Sequence, residues 1–145
     1  MLRRILFFAA LSTMTLGMQA KVRLPHIIGD NMILQQDSKA RLWGWDTPGK
    51  AVKVNVSWSK ESYSAKTDSK GIWIVGVKTP KASYTPLSIT FNDGDKTTIN
   101  NVLSGEVWVC AGQSNMEMPV KGFGNCPVEG YNKAVMNANE YKGIH

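Results

Sequence analysis

Ala51-Val52-Lys53-Val54-Asn55-Val56-Ser57-Trp58 places Val52, Val54, Val56 and Trp58 on one side of an extended chain and Ala51, Lys53, Asn55 and Ser57 on the other. Apolar residues at every second position are the signature of a strand with one buried face. Leu87, Ile89 and Phe91 repeat the pattern against Ser88, Thr90 and Asn92. Between the apolar runs stand Asp46-Thr47-Pro48-Gly49, Asp68-Ser69-Lys70-Gly71 and Asn92-Asp93-Gly94-Asp95, whose residue types favour chain reversal. Strands are therefore predicted over Met32–Gln35, Ala40–Trp45, Ala51–Trp58, Ser62–Lys66, Ile72–Val77, Leu87–Phe91 and Thr97–Val102. Seven short strands at this spacing predict an antiparallel, all-β sandwich over residues 21–103.

Upstream of that region lies a different kind of segment. Arg3 and Arg4 precede a largely apolar run from Ile5 to Leu16, and Gly17-Met18-Gln19-Ala20 ends on a small residue. Residues 1–20 read as an export signal cleaved after Ala20, which predicts a secreted or periplasmic protein without a stable membrane anchor. Ser12, Thr13 and Thr15 dilute the run below what a spanning helix requires. The whole sequence of 145 residues carries a formal charge of +6, which falls to +4 without Arg3 and Arg4. Lysines such as Lys39, Lys50, Lys53, Lys60, Lys66, Lys70, Lys78 and Lys81 are scattered rather than clustered with aromatics, so they read as solvated strand faces and not as a nucleic-acid surface.

Downstream, the pattern changes at about residue 104. Val107-Trp108-Val109-Cys110-Ala111 is apolar without alternation, as in a strand covered on both faces of a parallel α/β sheet. It runs into Gly112-Gln113-Ser114-Asn115-Met116, polar residues at the carboxyl end of a strand, where such sheets carry their sites. Residues 104–145 thus read as the first strand, nucleophile turn and helix of an incomplete α/β domain, with the helix over Val128–Glu140 and Ala134, Val135 and Ala138 on one side. About 40 residues are too few to enclose a core, so Val107, Trp108 and Val109 are expected to be exposed in this chain.

Ser114 is the candidate nucleophile. A serine hydroxyl needs a base to take its proton and N–H donors for the oxyanion that forms, and a tight turn after a strand lifts the hydroxyl clear and aims its own N–H at the attacked carbonyl oxygen. Gly112 leaves room for close backbone approach, Gln113 and Asn115 fix the turn or meet substrate, and Met116 and Met118 pack beneath. Cys110, in its apolar run, reads as a buried and unactivated thiol, and its pairing with Cys126 stays open. His26 and His145 supply neither a metal-ligand spacing with the cysteines nor a carboxylate-oriented base. Trp43, Trp45, Trp58 and Trp73 at strand positions read as core, with glycan stacking as the alternative.

Gly-Glu-Val-Trp-Val-Cys-Ala-Gly-Gln-Ser-Asn-Met-Glu-Met-Pro, residues 105–119, resembles the first block of the sialate O-acetylesterase family within the SGNH hydrolases. Val22-Arg23-Leu24-Pro25, Asp30-Asn31-Met32-Ile33-Leu34-Gln35, Leu42-Trp43-Gly44-Trp45 and Gly71-Ile72-Trp73 resemble that family's amino-terminal β-domain. The resemblance implies release of acetate from O-acetylated sialic acid or another acetylated glycan, with no cofactor. It implies a serine nucleophile, a histidine base oriented by an aspartate, and a downstream Gly and Asn completing the oxyanion hole. The family's Asp-x-x-His element, expected far downstream, does not occur in these 145 residues. The chain by itself is therefore expected to be an inactive amino-terminal piece, or alternatively a non-enzymatic glycan-binding β-module with a vestigial hydrolase segment.

Overall fold

The computed structural model describes residues 21–141 and 144. The expected export signal and His145 lie outside the described residues. Seven strands occupy the region from Ile33 to Gly105: β1 (Ile33–Gln35), β2 (Lys39–Trp45), β3 (Ala51–Val56), β4 (Ser62–Lys66), β5 (Ile72–Lys78), β6 (Ser83–Asn92) and β7 (Lys96–Gly105). Each falls on one of the seven predicted strands. The protein is mostly β-sheet, in one sheet ordered β1-β7-β6-β3-β4 and a second formed by β2 and β5.

The alternation read in Ala51–Trp58 sets the inside of the larger sheet. Val52, Val54 and Val56 are buried while Ala51, Lys53 and Asn55 are exposed. Ile89 and Phe91 do the same on β6. From the smaller sheet come Leu42, Trp73, Val75 and Val77, and these side chains join the others in a single hydrophobic core. The Trp73 and Phe91 rings meet there with centroids 5.6 Å apart. Fully burying a side chain of this kind contributes about 1.5–3 kcal/mol. The shared core is thus the main force holding the two sheets together.

The turns form where their chemistry predicted them. Gly71 has φ +78°, and a Cβ there would stand 2.9 Å from the Asp46 carbonyl oxygen. Glycine therefore serves twice, for conformation and for space. Asp68 Oδ1 accepts from the N–H groups of Lys70 and Ile72, both at 2.8 Å, and so closes the reversal between β4 and β5. Near the turn between β6 and β7, Lys50 Nζ donates to Asp93 Oδ2 at 3.2 Å. Burial pushes the Asp93 carboxyl up. The hydrogen bonds from Lys50 and the backbone N–H groups of Asp95 and Asp93, with the Lys50 charge, outweigh that and hold it below the ordinary carboxylate value.

The structure corrects three details of the strand reading. β1 runs parallel to β7, so the sheet is mixed rather than wholly antiparallel. A tight hairpin forces opposite directions only on strands it joins directly, and β1 and β7 are separated by the rest of the β-region. β6 begins at Ser83, with register irregularities on either side of Leu87. Pro86 lacks an N–H and interrupts the ladder there. β3 stops at Val56, and Trp58 lies beyond it, half-buried, with its indole N–H donating to the Lys78 carbonyl at 2.8 Å.

Beyond β7 the chain changes character. It forms α1 (Ser114–Glu117), a small hairpin of β8 (Gly122–Phe123) and β9 (Cys126–Pro127), α2 (Tyr131–Asn137) and a 3-10 turn at Ala138–Glu140. Val107–Ala111 is not a strand, and its side chains are exposed: Trp108 by 83% and Val109 by 90%. A strand of this composition needs flanking strands and covering helices, and no described residues supply them. The exposure follows the expectation from the small number of residues available. Cys110 is exposed as well, contrary to the buried thiol read from its neighbours, and neither it nor Cys126 is in a disulfide. The helix starts later than Val128 because Gly130, at its amino end, takes the left-handed conformation with φ +72°. Among the described residues no helix is long and apolar enough to cross a membrane.

Candidate active site around Ser114

The segment that carries Ser114 leaves the β-region through a side-chain clamp. Gln35 and Gln36 follow one another at the end of β1. Gln35 Nε2 donates to Glu106 Oε2 at 3.0 Å, and Gln36 Nε2 donates to Glu106 Oε1 at 2.6 Å. The amide oxygens are used in turn: Gln35 Oε1 accepts from the Val107 N–H at 2.9 Å and Gln36 Oε1 from the Ala82 N–H at 2.8 Å. A backbone bond from Gln36 N–H to the Gly105 carbonyl, 2.8 Å, completes the join. The Gln35 hydrogen bond, followed by that of Gln36, holds the Glu106 carboxyl below its usual range. Charge-assisted bonds of this kind are shorter and stronger than neutral ones, so the direction in which the chain departs is fixed.

Seven residues further on, Gln113 precedes the single turn of α1, and the Met116 N–H donates back to the Gln113 carbonyl at 2.9 Å. Ser114 is the first residue of that turn and is exposed, as are Gly112, Gln113 and Asn115. The leading N–H groups of a helix have no partner within it, which holds here for those of Ser114 and Asn115. Gly112 makes room, as the sequence suggested, but for a side chain: a Cβ there would lie 2.8 Å from Met116 Cγ. Met116 is itself exposed rather than packed beneath the turn, and Met118 is half-buried.

Catalysis by Ser114 needs a base that the described residues do not bring to it. The hydroxyl makes no hydrogen bond among the described residues. His26 is exposed in the turn after Pro25, in the β-region. Among the described residues no cluster of three or more His, Cys, Asp or Glu could hold a metal ion. The tryptophans divide. Trp73 is core, Trp43 and Trp58 are partly buried against it, with the Trp58 N–H bonded, and Trp45 makes an edge-to-face pair with Trp43 at 5.1 Å. The sequence reading assigned no part to Gln35, Gln36 or Glu106, although Gln35 and Glu106 both lie inside the quoted motifs. A polar pair at the start of one motif and the end of another was the signal available.

No protein-family model matches the chain. Sialate O-acetylesterase of Mus musculus is 32% identical over 117 residues, covering 74% of this chain and 21% of that protein. The Homo sapiens enzyme of the same name is 32% identical over 125 residues, covering 77% of this chain and 23% of its own length. Among solved structures, a carbohydrate acetylesterase from Xanthomonas citri matches with a TM-score of 0.62 at 32% identity, over 69% of this chain and 23% of that one. The chain therefore spans between a fifth and a quarter of the length of the relatives it matches.

Proposed function

We propose, on the premise that the chain is a family-level relative of the sialate O-acetylesterases and corresponds to their amino-terminal portion, that it is the leading part of a serine esterase that removes acetyl groups from carbohydrate hydroxyls. The observation that carries this reading is Gly112-Gln113-Ser114-Asn115-Met116, standing exposed on a tight turn within a chain whose relatives are acetylesterases. Sialic acid is the favoured acetylated sugar, and no cofactor is required. The organisation that accompanies this reading is an exported chain, a β-sandwich over residues 21–103 and, from residue 104, the opening of an SGNH hydrolase domain.

In this mechanism Ser114 Oγ attacks the acetyl carbonyl carbon while a histidine supplied from outside these residues takes the hydroxyl proton. The carbonyl oxygen gains negative charge, which the N–H groups of Ser114 and its neighbours stabilise. Collapse of that intermediate breaks the ester bond, and the histidine returns the proton to the departing sugar oxygen. Water, activated by the same histidine, then frees acetate from the acetyl-serine. An aspartate fixes the histidine's orientation, as in other serine hydrolases.

The test is acetate release from an O-acetylated sialoside by the longer protein that carries the histidine and aspartate. Ser114→Ala should lower turnover by on the order of 10⁴-fold or more with the fold unchanged. A fluorophosphonate should label Ser114 in the longer protein and leave the 145-residue chain unlabelled. Equal acetate release from the Ser114→Ala variant would reduce Ser114 to a turn residue, and no acetate release from either form would leave the glycan-binding module as the better reading.

A further inference from the structure

A second polar site lies at the opposite end of the β-region from the clamp. β2 and β5 pair over seven residues, from Lys39 opposite Lys78 to Trp45 opposite Ile72. Gln35 meets the Lys39 end, where its carbonyl accepts from Thr79 Oγ1 at 2.7 Å. At about 3.3 Å per residue, the Trp45 end is roughly 20 Å away. There, Lys21, Arg23, Trp45, Asp46, Thr47 and Pro48 line an open cavity of about 440 Å³, within the range of small-ligand sites.

Its construction is specific. Arg23 and Trp45 exchange backbone hydrogen bonds, both at 2.9 Å, which lock the Arg23 stem beside the indole. The guanidinium carbon then sits 4.9 Å from the Trp45 ring centroid. A guanidinium placed over a ring keeps N–H donors for another partner. Among the described residues no carboxylate pairs with Arg23. Lys21 adds a second cation and Thr47 a hydroxyl. Asp46 opposes an anion in principle, but it faces inward: Oδ1 accepts from the Thr47 N–H, and Oδ2 is buried without a partner. Two cations, a hydroxyl and an aromatic and proline wall suit a ligand with both a carboxylate and a ring.

We propose that this cavity binds a carboxylated sugar through Arg23 and Lys21, as an accessory subsite independent of Ser114. The guanidinium fork takes the carboxylate, with Lys21 as a second charge, and Trp45 and Pro48 contact the ring. The geometry is that of a docking point for the acidic residue of a glycan, at the far end of β2 from the clamp through which the Ser114 segment leaves.

The test uses the 145-residue chain and follows the Trp45 indole N–H by NMR, assigned with Trp45→Phe, during titration with free sialic acid, its methyl ester and acetate. Sialic acid should shift the Trp45 signal and saturate in the millimolar range. The methyl ester and acetate should each bind at least tenfold more weakly. Arg23→Ala should weaken sialic acid at least tenfold while leaving the melting temperature unchanged, because its side chain is exposed. Arg23→Lys should recover only part of the loss, whereas Lys53→Ala and Ser114→Ala should bind like the parent. Equal binding of the methyl ester, equal binding of acetate, an unaffected Arg23→Ala variant, or no movement of the Trp45 signal would each overturn the proposal. None of these measurements depends on acetate release, so this site and the Ser114 reading stand or fall separately.

Discussion

Residues 21–105 and residues 106–141 belong to one chain yet behave as opposites. The first stretch places Val52, Val54, Phe91 and Trp73 out of solvent entirely or nearly so, whereas the second leaves Trp108 and Val109 almost bare. Both stretches are rich in apolar residues, so composition does not separate them. What differs is whether the partners for those residues lie within the same chain. β3 finds β4 and β6 on its two sides, while Val107–Ala111 has no strand to pair with among the described residues. The residues with the most chemical promise therefore sit in the part with the least structural support.

That contrast breaks most readily in the core. Trp73→Ala removes the largest fully buried side chain and should cost about 3–5 kcal/mol in urea unfolding, enough to unfold a marginal domain. If Trp108→Ala cost as much, the tail would be packed and the contrast false. A smaller loss is expected at the Lys50–Asp93 pair. Lys50→Ala strands a buried carboxylate and should destabilise by about 1–3 kcal/mol. The Asp93 pKa is depressed in the folded protein, so its stabilisation is present in full above the ordinary carboxylate value near 4 and lost as pH falls through the lower folded value. Asp93→Asn should flatten that acid limb, which melting temperatures between about pH 5 and pH 2 would reveal.

Deleting residues 108–145, which keeps Glu106 and the Val107 N–H in the clamp, should leave the cooperative β-type melt within about 0.5 kcal/mol of the parent, since the rest of the tail contributes almost nothing to the core. A large drop in melting temperature would show that the tail supports the sheets. The smallest effect belongs to Trp108→Ser, neutral in unfolding to about 0.5 kcal/mol, which should reduce self-association by removing an exposed indole. Unchanged sedimentation at high concentration would argue against that reading.

How much could be read in advance follows the same division. All seven strands were legible because period-two alternation and the turns at Gly49, Gly71 and Gly94 are local signals. The start of β6 was not, since Pro86 breaks the ladder without ending the strand, which continues back to Ser83. For Val107–Ala111 the composition pointed to a buried strand and the residue count to exposure, and only the count could know what was absent. Ser114 was visible through its turn chemistry and resemblance. The clamp was invisible because the adjacent Gln35 and Gln36 lie 71 and 70 residues from Glu106 and the three obey no periodicity.

The parallel pairing of β1 with β7 also sets an order in time. During synthesis β1 emerges early and waits for Gly105, and at roughly 5–20 residues per second that interval is on the order of several seconds. Until then Leu34 lacks its neighbour strand and the Gln35–Gln36 amides have no carboxylate to hold. Glu106 reaches them immediately after the last residue of β7. The ribosome must therefore deliver the first residues of the Ser114 segment before the β-region can finish closing.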